Sequence, residues 1–165
     1  MTAASLSDIK KELASLESKQ LRDLCLRLAK YKKENKELLT YLLYEADDEA
    51  AFVTNVNTEM DDLFETVPQT NLYLVKKVLR KILRIANKQI RYSGLAQTEV
   101  EVRIHFCANV KKSGIKLQNS QVLANLFAQQ LKKIDAALAK LPEDLQYDFH
   151  HELEPLKTYG GRTKK

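Results

Sequence analysis

Six basic residues offer the clearest chemistry in the chain: Lys77, Arg80, Lys81, Arg84, Lys88 and Arg91. Advancing 100° per residue along a helix places all six within about 100° of one another. Tyr73 stands at one end of this stripe, and Val75, Leu79, Ile82, Ala86 and Ile90 fall on the opposite side. Residues 72–94 hold seven Lys and Arg and no Asp or Glu. At about 1.5 Å per residue, the stripe from Lys77 to Arg91 is roughly 21 Å long, the scale of a few backbone phosphates. Like charges so close repel. The pattern therefore points to an anion opposite them, supplied by a partner or by the chain itself.

Three readings follow. The acidic stretch 45–65, with Glu45, Asp47, Asp48, Glu49, Glu59, Asp61, Asp62 and Glu65 and no Lys or Arg, can lie beside the stripe and balance it in part. The stripe can instead dock an acidic protein, or it can track the phosphates of a nucleic acid. A helix of about 20 residues is long for the recognition helix of a helix-turn-helix. No aromatic-rich stacking platform accompanies the stripe, which argues against the single-stranded version of the last reading.

Other reactive groups are sparse. Glu101 and His105 are four apart, yet carboxylate-bridged di-metal bundles need paired Glu-x-x-His motifs and two further carboxylates, which the sequence lacks. Asp148 and Glu152 share a helical face without a histidine at metal spacing, although His150 and His151 lie between them. Phosphate-cradling loops and nucleophile elbows need glycines at fixed spacing. Four glycines in 165 residues supply neither. Cys25 and Cys107 form no CxxC pair and sit in apolar helical contexts, as expected of buried thiols in a reducing compartment. These features predict a non-enzymatic interaction module without cofactor or metal, whose partner is an acidic protein. Nucleic-acid backbone binding is the alternative, and an enzyme with an unrecognised site lined by Tyr31, Tyr41, Tyr44 and Tyr73 is a second.

The elements that must position these residues are helical. Three prolines and four glycines leave little punctuation, and charged residues make up 30% of the chain, as solvated helix faces require. Leu6, Ile9, Leu13 and Leu16 recur at helical spacing, as do Leu21, Leu24, Cys25 and Leu28. The basic patch Lys30, Lys32, Lys33 and Lys36 leads through Leu38, Leu39, Leu42 and Leu43 to about Tyr44. A helix carrying Phe52, Val56, Met60, Leu63 and Val67 ends at Pro68. The next is capped by Thr70 or Asn71 and stopped at Ser93 and Gly94.

Residues 97–112 are ambiguous. Val100, Val102, Ile104 and Phe106 alternate with Glu99, Glu101, Arg103 and His105, which is a strand pattern. A lone strand is unstable, and Val100, Ile104, Cys107 and Ala108 also make a helix face. Leu123, Phe127, Leu131, Ile134, Leu138 and Leu141 mark a long helix. Leu145, Phe149 and Leu153 mark a last one stopping at Pro155. The expected fold is all-α, an irregular bundle or short helical-hairpin array of about seven antiparallel helices. It forms one domain over residues 1–156, with a flexible basic tail over 157–165. No segment approaches the roughly 18 apolar residues of a membrane span, and no signal peptide is visible, so a cytoplasmic setting without membrane partners is expected. No feature fixes the oligomeric state.

The chain resembles a group of small all-helical bacterial proteins of unknown function. The similarity lies in Lys11, Glu12 and Leu13, in Leu21, Arg22, Asp23 and Leu24, in Lys76 to Lys81, and in His105, Phe106 and Cys107. It implies a bacterial cytoplasmic protein and helix rather than strand over 97–112, and carries no activity or site residue. The opening residues from Ile9 to Cys25 are also similar to the helix pair of SAP DNA-binding domains, but without the glycine-containing link.

Overall fold

The computed structural model describes residues 2–68 and 70–161. They form eight α-helices and no strand among the described residues. The chain divides into two compact units, residues 1–44 and 45–165, where the sequence reading draws one domain over 1–156.

The first unit holds α1 (Leu6–Ala14), α2 (Ser18–Tyr31) and α3 (Lys33–Thr40). Ser5 caps α1, its Oγ accepting from Asp8 N. Lys32 is the reason for eight helices rather than seven. Its φ of −141° and ψ of 148° are extended and break the basic stretch after Tyr31. Asn35 Nδ2 then donates to Leu28 O at 2.8 Å and closes the reversal. Leu28 and Ala29 of α2 line one hollow with Leu38 of α3 and with Leu42, but no residue of these three helices is fully buried.

A π-helical turn, Tyr41–Glu45, ends this unit and opens the next. The second unit holds α4 (Glu49–Glu65), α5 (Leu72–Ser93), α6 (Ala96–Lys112), α7 (Gln121–Leu138) and α8 (Glu143–Gly161). Asp48 Oδ1 caps α4 by accepting from Ala51 N at 3.0 Å. Asn71 Oδ1 caps α5 by accepting from Tyr73 N and Leu74 N. Gly94, at φ +69°, ends α5 in the left-handed region that glycine enters freely.

α6 is the central helix and packs against α4, α5, α7 and α8. Val100, Val102, Ile104, Phe106, Cys107 and Val110 are all buried along it. This explains the alternating pattern. Residues two apart on a helix point about 200° apart, so a helix buried on opposite sides places apolar residues at i, i+2, i+4, as a strand does. Met60, Leu79, Ile82, Leu123, Phe127 and Ile134 from the surrounding helices complete the core.

α8 continues past Pro155, where the sequence reading ends it, to Gly161. An internal proline costs about 3 kcal/mol through its missing N–H and ring clash. Here Leu153 and Leu156 are buried on either side of it. The carbonyl left without a donor belongs to His151, on the exposed face. Residues 157–161 of the expected flexible tail are therefore helical; 162–165 lie outside the described residues. The Tyr159 ring meets Phe127 edge-on, at 5.4 Å and 73°, and its hydroxyl donates to Ile115 O. Losing one hydrogen bond and one aromatic contact costs roughly 2 kcal/mol. Tyr159→Ala is expected to lower the urea-unfolding free energy by about that much, whereas a frayed tail would leave it unchanged.

Candidate anion-binding cleft

The stripe lies on the solvent side of α5, opposite the buried Val75, Leu79, Ile82, Ala86 and Ile90. Lys77, Arg80, Lys81, Arg84 and Arg91 are exposed, and Lys88 is half-buried. None of the first five forms an ion pair with a described residue. Two carboxylates of the acidic neighbour α4 have partners on α5 and α6. Asp61 Oδ1 meets His105 Nε2 at 2.6 Å and accepts from Asn109 Nδ2 at 2.8 Å. Glu49 Oε1 accepts from Ser93 Oγ and Thr98 Oγ1, each at 2.5 Å.

The stripe is not one uniform surface. Arg80, Arg84 and Arg91 line a cleft of about 1150 Å³ between α5 and α7, and Lys77, Lys81 and Lys88 do not. Val122, Asn125, Leu126, Gln129 and Lys133 form the α7 wall. Their spacing of three and four residues puts them on one helix face. α6 supplies the floor with Glu99 and Arg103, and Lys140 adds a cation from beyond the end of α7. Lys77 and Lys81 border a smaller hollow of about 540 Å³ with Tyr73, and Arg80, Arg84 and Val122 belong to both hollows.

Arg103 and Glu99 neutralise each other on the floor. Arg103 Nε and Nη2 each stand 2.8 Å from Glu99 Oε1. Nη1 donates to Gln130 Oε1 at 2.8 Å. The guanidinium is 5% exposed, and a charge so buried needs such partners. The bond to Gln130 joins α6 to α7, and the pairing of Arg103 leaves Arg80, Arg84, Arg91, Lys133 and Lys140 as the cleft's ion-unpaired cations among the described residues. With six cations and one carboxylate the described lining carries a formal +5. The whole chain carries +5. The remaining residues of the sequence sum to zero formal charge. The start of α6 adds to the field: Leu95 and Ala96 line the cleft, and no side chain caps that helix end, where the backbone carries a partial positive charge.

Sequence reasoning found Arg80, Arg84 and Arg91 but missed Arg103, Lys133, Lys140 and the amides Asn125, Gln129 and Gln130. The spacing of the α7 wall was a usable signal. Arg103 had none, because its apparent polar face in the alternating pattern is interior. Glu101 is not joined to His105 and instead accepts from Gln97 Nε2 at 2.8 Å. No group of three or more His, Cys, Asp or Glu among the described residues is placed to hold a metal ion. Cys25 is exposed, against expectation, and Cys107 is buried. Burial pushes the Cys107 thiol up to about 12, with Arg103 opposing the shift, so it is a protonated core group at neutral pH. No helix among the described residues is long and apolar enough to cross a membrane. Comparison with known protein families, curated proteins and solved structures finds no match.

Proposed function

We propose that this protein is a non-enzymatic module that binds a nucleic acid by its phosphate backbone in the cleft between α5 and α7. The observation that carries the reading is the convergence of Arg80, Arg84, Arg91, Lys133 and Lys140 on one hollow without a described ion-pair partner. Mutual repulsion of these groups is relieved when a polyanion displaces the counterions they hold. The rest of the lining suits the same ligand, because Asn and Gln side chains join Arg and Lys in most backbone contacts.

An acidic protein is the other reading of the stripe. Tight protein interfaces centre on buried aromatic anchors, and no aromatic side chain lines the cleft among the described residues. This favours phosphate over a protein surface. A cytoplasmic location, where such polymers are found, is part of the proposal.

Fluorescence anisotropy with a labelled mixed-sequence oligonucleotide tests the reading against poly-glutamate of equal charge. The oligonucleotide is expected to bind at least about tenfold more tightly, a difference of about 1.4 kcal/mol. Tighter binding of poly-glutamate would replace the nucleic acid with an acidic protein.

A further inference from the structure

α5 and α7 both pack on α6 and wall the cleft on either side of its floor. What lies beside the cleft bears on which form of nucleic acid suits it. In a duplex each base is paired and stacked on its neighbours, whereas a single strand has bases free to lie on an aromatic ring.

The smaller hollow gives a single strand a continuation of the cleft. It shares Arg80, Arg84 and Val122 with the cleft and ends at Tyr73. The Tyr73 side chain is 71% exposed, one helical turn from Lys77 on the same face. Exposed aromatic rings beside cationic tracks stack bases regardless of sequence. Tyr73 is the aromatic already placed at the end of the stripe, a single ring and not an aromatic-rich platform. From Tyr73 to Arg91 the track is about 27 Å long, which spans several nucleotides of an unstacked strand.

We infer that the cleft takes a single nucleic-acid strand, with phosphates against Arg80, Arg84 and Arg91, and that the strand leaves over Tyr73, which stacks one base. This rests on the nucleic-acid reading above. The test is anisotropy on the full chain with three probes: a short oligothymidylate, a mixed duplex of equal length, and inorganic polyphosphate. Wild type is expected to bind oligothymidylate at least about tenfold more tightly than the duplex. Tyr73→Ala should weaken oligothymidylate about tenfold and leave polyphosphate unchanged, and Tyr73→Phe should behave as wild type. A thermal melt checks that Tyr73→Ala stays folded. Duplex binding equal to or tighter than single-strand binding would overturn the inference while leaving the backbone reading intact. So would an equal loss for polyphosphate, or no loss at all, in Tyr73→Ala. Binding of polyphosphate alone, with neither nucleic acid retained, would overturn both.

Discussion

Reversing two charges, Arg80→Glu with Arg84→Glu, is expected to abolish oligonucleotide binding while leaving the helical circular-dichroism spectrum and the melting temperature unchanged. Both side chains are exposed and belong to both hollows. Neither holds another described element in place through an ion pair, so the effect on stability should stay within about 0.5 kcal/mol. Each lost charge-assisted contact costs roughly 1.5–3 kcal/mol. Two together amount to roughly 3–6 kcal/mol, on the order of 10²–10⁴ in affinity. Lys111→Glu with Lys112→Glu is the matched control. It changes net charge equally, at the far end of α6 and away from the cleft. It should weaken binding only slightly, through the long-range field that salt screens. Comparable losses in the two variants would mean that net charge, and not the cleft, holds the ligand.

Phe106→Ala is expected to have the largest effect on stability. Phe106 is 0% exposed and lies in the helix that four others pack against. Its ring sits 5.6 Å from that of Phe64, at 53°. Removing a buried phenylalanine costs about 3–5 kcal/mol, as lost transfer energy and as the cavity left behind. Total stabilities of domains are only about 5–15 kcal/mol, so this is a large share. A fall in melting temperature of about 10–20 °C is expected by calorimetry, with no change in α-helix content at low temperature. A fall of less than about 3 °C would contradict the central placement of α6, because a residue at a domain edge relaxes into solvent at little cost.

These two substitutions also mark where the sequence was informative. The α5 stripe was legible because a helix with one buried and one solvated face has a single period, and counting at 100° per residue recovers both faces. Asn71 and Gly94 were legible as boundaries for equally local reasons. α6 was not, because a helix packed on four neighbours keeps a polar stripe as narrow as Gln97, Glu101, His105 and Asn109, and its residues buried on opposite sides mimic a strand. The same central position hid Arg103. Read along the chain it alternates with valines as a surface residue would, but in the fold Glu99, one turn earlier, and Gln130, from α7, solvate it in the interior.

The cleft was half legible. Its α5 wall is local, but its α7 wall and Lys140 join it only through the way α5 and α7 flank α6. No period along one segment carries that information. The division of the stripe into cleft-facing arginines and outward lysines has the same origin. Charge spacing on α5 alone treats all six as equivalent, and only the position of α7 separates them. The distinction has chemical weight, because a guanidinium presents a rigid fork of donors to phosphate whereas an ammonium acts as a point charge. The extent of α8 was misread for a different reason. A proline rule applied locally ended the helix at Pro155, while Leu156 and Tyr159 supply tertiary contacts that outweigh it.

The central claim is that unpaired cations in one cleft hold nucleic-acid phosphates. The salt dependence of oligothymidylate binding to the wild-type protein tests it most directly. Five unpaired cations predict that log Kobs falls with log salt at a slope of up to about −3.5, taking −0.7 per phosphate neutralised on a single strand. A slope between about −2 and −3.5 is the expected result. A slope near zero, or no binding at the lowest salt, would contradict the account.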